Sequence, residues 1–326
     1  MSALKAFCLF ACIALLNLSA TGTSWGQDNF PSKPIRLIVA IGPGASNDAL
    51  ARFLAAGPLR QQLGTEVIVE NKPGAGGVLG GEFLAKSKPD GYTLGLLHAS
   101  VMSTVTVINP NVTYDPVRDF TPIATLVTNQ LALVVSASSK WTSLAQLIDD
   151  SKSGNVHCGL IGLGSQTHFN VELLKLATGA KLNLVPFSAG TGAILTALMG
   201  NHISCTSLTW AGVSSHVKAG KLRALAVTSM IKDQPQIPTF ASEGLPQVSL
   251  EVFNAAFGPA GLPKEVQVRL EQAFRRVMAD PKTTAELERQ GFSILYEDSL
   301  TLAARVKRDL SVVREVFQKA GLKQES

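Results

Sequence analysis

The sequence predicts an α/β protein of two lobes, in which the chain crosses from one lobe to the other twice. A unit of buried strand, glycine-rich turn and helix occurs around residues 42–48 and again around 162–168. Turn- and proline-rich connectors at 114–122 and 234–240 separate the units. With 46% hydrophobic and 16% charged residues, the chain has enough apolar surface for substantial cores. Two lobes joined twice form a hinge with a cleft between them.

Residues 1–26 have the pattern of a secretory signal peptide. Lys5 is their only charged residue, residues 6–18 are apolar, and small residues follow. This apolar stretch is too short for a comfortable membrane span, and no later stretch reaches the roughly 18 apolar residues that a spanning helix needs. We therefore expect cleavage near Gly26 and an exported protein.

The first part of the mature chain predicts a parallel sheet. Strands are expected at 35–41, 66–70 and 92–97, with helices at 48–63 and 78–87 between them. The loops 42–48, 71–77 and 98–104, the last of which holds Ser100, then share the sheet edge at which ligands bind. Ser46, Asn47 or Asp48 can cap the first helix.

The second lobe is predicted to repeat this architecture. Helices are expected at 143–151, 169–178, 193–199 and 211–219, and strands at 156–161, 203–208 and 222–228. The segment 183–187 leads into the turn before the third of these helices. A return crossing at 253–263 and helices to 279, at 282–290 and at 299–320 complete the chain. We assign residues 27–125 and 232–326 to lobe 1 and the inserted residues 126–231 to lobe 2.

Most catalytic and cofactor motifs are missing from the sequence. The formal net charge of +5 comes from scattered residues, without the Lys/Arg block of a nucleic-acid-binding surface. No G-x-S-x-G sequence or P-loop occurs, and the five histidines lack metal-ligand spacing. We expect no catalytic residue, no metal, no cofactor and no nucleic-acid partner. A secreted hydrolase that uses Ser165 and His168 is the enzymatic alternative.

The glycine-rich turns are suited to bind an anion. Each leaves backbone N–H groups unpaired at the positive end of a helix, and the turn at 162–168 adds hydroxyl groups. An ordinary strand–helix connection explains any single turn equally well. Several turns that face one cleft favour a small carboxylate ligand held by backbone N–H groups and hydroxyls.

Two cysteines remain after signal cleavage, Cys158 and Cys205, and both fall in strand-like segments. In an exported protein they could form a disulfide. Two separate buried thiols are the alternative, because cysteine is a common core residue.

Several longer segments carry a family resemblance. They are FPSKPIRLIV at 30–39, GPGASND at 42–48, VENKPGAGG at 69–77, KPDGYTL at 88–94, YDPVRDF at 114–120 and KAGKLRALAV at 218–227. The chain resembles the Bug-type receptors, the periplasmic solute-binding proteins of tripartite tricarboxylate transporters, over nearly all of its mature length.

The resemblance implies a type II-like two-lobed binding protein that closes on a small organic carboxylate. It also implies a membrane permease as partner, or a sensor protein in a signalling system, and we expect a monomer. The implied ligand-binding positions and their neighbours are Gly44, Ala45, Ser46, Asn47, Ser100, Gly164, Ser165, Thr167, His168, Phe187, Ala189 and Leu208.

The departures from the family pattern concern the pocket wall. Relatives often have a tyrosine and a lysine where this chain has Phe187 and Ser188, and often an acidic residue near Leu208. With Phe187, Leu208 and Trp210, we expect a more apolar pocket that suits an aromatic or branched carboxylate.

Overall fold

The computed structural model describes residues 30–187 and 190–324. The signal pattern at 1–26 and the predicted site residue Ala189 lie outside the described residues. The strands are β1 Ile35–Val39, β2 Val67–Asn71, β3 Thr93–His98, β4 Phe120–Asn129, β5 Leu131–Ser136, β6 Val156–Leu160, β7 Leu182–Pro186, β8 Cys205–Thr209, β9 Leu222–Val227, β10 Val252–Pro259 and β11 Ser293–Glu297.

The helices alternate with these strands for most of the chain. They are α1 Ser46–Ala56, α2 Pro58–Leu63, α3 Val78–Ala85, α4 Ala99–Met102, α5 Thr104–Ile108, α6 Leu144–Ser151, α7 Gln166–Thr178, α8 Gly190–Met199, α9 Trp210–Lys218, α10 Lys264–Ala279, α11 Pro281–Arg289 and α12 Ser299–Lys319. A single 3₁₀ turn, Ala75–Gly77, precedes α3.

The first lobe is built on a sheet with the strand order β11–β4–β10–β3–β1–β2. β1 pairs in parallel with β2 and β3, as the strand–helix–strand pattern predicted. β10 lies antiparallel between β3 and β4, and β11 lies antiparallel to β4. Apolar residues of α1, α2 and α10, such as Leu54, Leu59 and Phe274, are fully buried against one face of the sheet.

The second lobe is built on a sheet with the strand order β7–β6–β8–β5–β9. β6 pairs in parallel with β7 and β8, while β5 lies antiparallel between β8 and β9. Phe169 of α7 is buried in the core on one face, and Ile194 of α8 and Val213 of α9 are buried on the other. In each lobe three strands are parallel neighbours, β3–β1–β2 in the first and β7–β6–β8 in the second. The turns that follow these strands therefore lie together at the carboxyl edge of each sheet.

The connection from β4 to β5 is a single residue, Gln130, so the chain passes directly from the first sheet to the second. It returns through residues 228–251, which lead from β9 to β10. Glu251, at the end of this return segment, accepts hydrogen bonds from the hydroxyl groups of Thr128 (2.9 Å) and Ser229 (2.6 Å). The boundaries between the two lobes, which the sequence predicted at 125/126 and 231/232, stay a prediction.

The C-terminal helix α12 contacts both lobes. Its first half contributes Leu302 and Val306 to a core cluster with residues of β3 and β10. Its second half contributes Val313 and Val316 to the core cluster of the second lobe. One helix thus packs across the pair of chain crossings.

Three local predictions were wrong. The helix predicted at 48–63 is two helices, because Pro58 lacks the N–H group that a continuous helix needs and Gly57 adopts a non-helical conformation. The loop predicted at 98–104 contains the short helices α4 and α5. The first helix begins at Ser46, and its N-cap residue Ala45 has no capping side chain.

Cys158 and Cys205 are both free and buried. They are register partners on the parallel strands β6 and β8. The contact with Cys158, together with burial, raises the pKa of Cys205 well above its ordinary value. The structure thus has two neighbouring thiols where the sequence left a disulfide open.

Candidate functional site

The turn after β1 is held by the side chain of Asp48. Gly44, which has a left-handed φ of 84°, donates its N–H to Asp48 Oδ2 over 2.9 Å. Arg52 Nε also donates to Asp48 Oδ2 (2.9 Å), and Asn71 Nδ2 donates to Oδ1 (2.9 Å). A buried carboxylate therefore fixes the path of the chain into α1.

These contacts determine the charge at this turn. The hydrogen bond from Arg52 is the largest cause that lowers the pKa of Asp48, to about 2, against the opposing effect of burial. Asp48 is consequently ionised at neutral pH, and a negative charge lies in the first turn of α1. This charge opposes the attraction of the helix N-terminus for a second anion.

The turn after β6 has the same geometry but another side chain. Gly164 has a φ of 78° and donates its N–H to His168 Nδ1 over 2.9 Å, again four residues along the chain. Ser165 caps α7 by accepting the N–H of His168 (3.2 Å) and donates its hydroxyl to Gly162 O (2.8 Å). The imidazole of His168 thus fills here the role that a carboxylate has in the first lobe.

The second ring nitrogen of His168, Nε2, lies near the carboxylate of Glu172. Nε2 lies 3.7 Å from Glu172 Oε1, and Glu172 is paired with Lys175 at 2.7 Å. Since Nδ1 accepts the Gly164 N–H, the tautomer with its proton on Nε2 suits both contacts. Ser165 and His168 therefore form no nucleophile–base pair, as the hydrolase alternative would require.

A cavity of about 560 Å³ lies between the two lobes. It is bounded by the residues that follow β1 and β3, by the glycine-rich segment before α3, and by the turn after β6. Its lining is Ala40, Ile41, Pro73, Gly74, Ala75, Gly76, Gly77, His98, Ser100, Thr104, Val105, Ile108, Asn109, Leu163, Gly164 and Ser165. Among the described residues, no lysine or arginine lines it.

His98 is a polar group of this cavity that sequence reasoning counted among the histidines but did not select. It ends β3 and pairs in register with Asn254 of β10, so the two side chains share a face of the sheet. Burial lowers the pKa of His98 to about 4, and the ring is therefore neutral at pH 7. Its position at the carboxyl end of a predicted parallel strand, where ligands bind, could have marked His98 as a candidate site residue.

The structure brings only some of the predicted site residues to this cavity. Ser100, Gly164 and Ser165 line it. Gly164 and His168 line a neighbouring cavity of about 590 Å³, which Leu322, Lys323 and Gln324 complete. The two cavities share Ile108, Leu163 and Gly164, so the turn after β6 lies between them.

The other predicted residues lie outside the cavity lining. Gly44, Ala45, Ser46 and Asn47 form the turn beside it, after the lining residues Ala40 and Ile41. Thr167 is buried next to Ser165, with 2.8 Å between the hydroxyl oxygens. Leu208 and Trp210 are buried in the second lobe, where the partly buried Phe187 packs against them. Their contact with a ligand stays a prediction.

The described part of the chain was also searched for metal-binding groups and for membrane-spanning helices. No group of three or more His, Cys, Asp or Glu side chains there could hold a metal ion. None of the helices of residues 30–187 and 190–324 is both long and apolar enough to cross a membrane.

Two α/β lobes, a double crossing and an interlobe cavity at the carboxyl ends of parallel strands define a solute-binding protein of the two-lobed class. The chain belongs to the receptor family of tripartite tricarboxylate transporters, because the model of the "Tripartite tricarboxylate transporter family receptor" matches residues 50–322. Protein BugT of Bordetella pertussis is 34% identical over 301 residues, which are 90% of this chain and 92% of that protein. The family resemblance found in the sequence is thereby confirmed.

Solved structures agree with this assignment. A TctC solute-binding protein from Polaromonas, without ligand, has a TM-score of 0.82 and 30% identity, covering 89% of this chain and 100% of that one. A Rhodopseudomonas palustris protein with adipate has a TM-score of 0.73 and 26% identity, covering 91% and 100%. MatC from the same organism, with bound malate, has a TM-score of 0.69 and 26% identity, covering 88% and 99%.

Proposed function

We propose that this receptor binds a small organic carboxylate between its lobes and delivers it to the membrane permease of a tripartite tricarboxylate-type transporter. The observation that carries the proposal is the pair of matching turns at the cleft. Gly44 and Gly164 have nearly the same left-handed φ, and each N–H is held by the side chain four residues later. Relatives of the same fold were solved with adipate and with malate, which are carboxylates.

The locked turns leave other N–H groups for a ligand. The first N–H groups of a helix have no acceptor within the helix, and in α1 and α7 these include Ser46, Asn47, Gln166 and Thr167. A carboxylate placed there accepts charge-assisted hydrogen bonds without a basic side chain. On this proposal the ligand contacts come from Gly44–Asn47 in lobe 1 and from Gly164–His168 in lobe 2.

The same function requires a particular cellular location and oligomeric state. We infer export through the signal pattern at 1–26, cleavage near Gly26, and a monomer that closes around its ligand in the periplasm. Closure would change the outer surfaces of the two lobes together, and this gives a permease a way to distinguish the loaded receptor.

The proposal is tested on the mature protein, purified without denaturation. Native mass spectrometry identifies any retained small molecule, and calorimetry then measures adipate, malate, hexanoate, benzoate and the uncharged control hexanamide. We expect at least one carboxylate to bind with micromolar or lower Kd, and the amide to bind at least tenfold more weakly than hexanoate. No binding of any carboxylate would contradict a carboxylate receptor, and so would binding of hexanoate that hexanamide equals in affinity.

A further inference from the structure

We propose, building on the carboxylate-receptor function above, that the cleft selects a monocarboxylate with an apolar body, whose carboxylate lies on the turn after β6. The relatives solved with adipate and malate hold dicarboxylates. Three features of the described residues separate this cleft from a dicarboxylate site: unequal charge at the two turns, a lining without cations, and apolar walls.

The two turns differ in charge although they agree in geometry. In the first lobe the locking group is the carboxylate of Asp48, only 4% exposed and hydrogen-bonded to the Gly44 N–H. In the second lobe the equivalent group is the imidazole of His168. At the first turn an incoming carboxylate meets a carboxylate bound directly to the turn's own N–H, and Arg52 balances only part of that repulsion. At the second turn the nearest carboxylate, that of Glu172, lies behind the ring and is paired with Lys175 at 2.7 Å. The turn after β6 is therefore the favoured anion site.

Two basic side chains near the cleft are engaged in ion pairs, and a third lies in the neighbouring cavity rather than in the cleft lining. Lys72 pairs with Glu70 at 2.7 Å, and Arg52 pairs with Asp48 at 2.9 Å. Lys323 lines the neighbouring cavity on the other side of Leu163. A second carboxylate in the lobe 1 half of the cleft would lose its hydration without gaining a cation, and that loss is costly.

The cleft walls suit an apolar ligand body. Ile41, Val105 and Ile108 on the lobe 1 side face Leu163 on the lobe 2 side across the same cavity. His98 adds one neutral polar group among them, with Asn254 beside it in register. Asn254 is 1% exposed, and its Oδ1 has no hydrogen-bond partner among the described residues. A neutral ring and an amide can accept or donate one hydrogen bond but cannot neutralise an anion.

Matched ligand pairs test the selectivity by calorimetry. Hexanoate and adipate differ by one terminal carboxylate, as do benzoate and terephthalate. In each pair of which a member binds, we expect the monocarboxylate to bind at least tenfold tighter than its dicarboxylate. Tighter binding of adipate or terephthalate would overturn the inference and leave the carboxylate-receptor function standing. Failure of all four to bind, with none of the other carboxylates binding either, would instead remove that function.

Two variant pairs test the charge argument. Asp and Asn have the same shape and both accept the Gly164 N–H, so H168D should weaken hexanoate binding at least tenfold more than H168N. Equal losses in the two variants would overturn the placement of the carboxylate on this turn.

Ala75 is an exposed residue of the first lobe that lines the cavity. A75K should therefore improve adipate binding at least tenfold relative to A75Q, and equal adipate affinities would overturn the argument from missing cations.

Discussion

At the scale of single residues, Asp48 and His168 hold the two turns at the cleft, because each accepts the N–H of the glycine four residues before it. The glycine-rich turns were located correctly from their composition. The sequence offered Ser46, Asn47 and Asp48 equally as helix caps, but the structure uses Asp48 to hold Gly44 instead. That contact depends on Arg52 and Asn71, and Asn71 comes from another strand. His98 was passed over because its neutral state depends on packing that includes β10, more than 150 residues later.

The depressed pKa of Asp48 predicts a pH-dependent contribution to stability. Its pKa falls from an ordinary value of 3.8 to about 2 on folding. The stabilisation is therefore complete above the unfolded pKa and is lost as the pH falls from about 4 to about 2. Its size is about 2 kcal/mol by linkage. D48N keeps the acceptor for Gly44, so it should lower the free energy of unfolding by about 1–2 kcal/mol at pH 6.

Urea unfolding of the wild type and D48N between pH 2 and pH 7 measures this contribution. The difference between the two proteins should shrink steadily below pH 4 and approach zero near pH 2. A difference that stays constant over this range would show that the Asp48 charge does not stabilise the turn.

At the scale of elements, close packing of α3 on β1 determines the shape of the cleft wall. The hydrophobic pattern predicted both elements, but it contained no information about their separation. Gly80 allows the approach, because a Cβ there would lie 2.7 Å from Ala40 Cα and 2.6 Å from Ala40 Cβ. Ala40 itself lines the cavity. A glycine within a predicted helix indicates such a close approach only when the segment that packs against it is known.

G80A should therefore force α3 away from β1 and destabilise the fold by about 1–3 kcal/mol. G192A is the matched control, because Gly192 is also in a helix and a Cβ there would meet no atom within 4 Å. We expect G192A to be neutral or to stabilise by up to about 1 kcal/mol through helix propensity. Equal unfolding midpoints for the two variants would contradict the close contact at Ala40.

At the scale of the whole molecule, the two lobes are joined by a buried polar hinge and by one helix. The repeated strand–turn–helix pattern predicted the lobes. The sequence did not show that α12 would pack on both, because an amphipathic pattern indicates a buried face without naming its partner. Glu251 lies at the meeting point, with the hydroxyls of Thr128, Thr228 and Ser229 hydrogen-bonded to its carboxyl group.

Glu251 also connects the hinge to α7, the helix that follows the second glycine-rich turn. Its backbone carbonyl accepts a hydrogen bond from Gln166 Nε2 at 3.3 Å, and Gln166 is the first residue of α7. Thr228 in turn accepts the N–H of Leu131, the first residue of β5 (3.0 Å). Both crossing segments and α7, the helix that we propose to bind the ligand, therefore meet at one residue.

E251A should leave these buried hydroxyl groups without their acceptor and destabilise the protein by about 2–4 kcal/mol, since each unsatisfied buried polar group costs about 1–3 kcal/mol. E251Q retains one acceptor oxygen and should lose less. Glu243 is exposed on the same return segment, so E243A should change the free energy of unfolding by less than about 0.5 kcal/mol. Urea unfolding checks all three variants, and an E251A value equal to that of E243A would show that the polar hinge does not hold the lobes together.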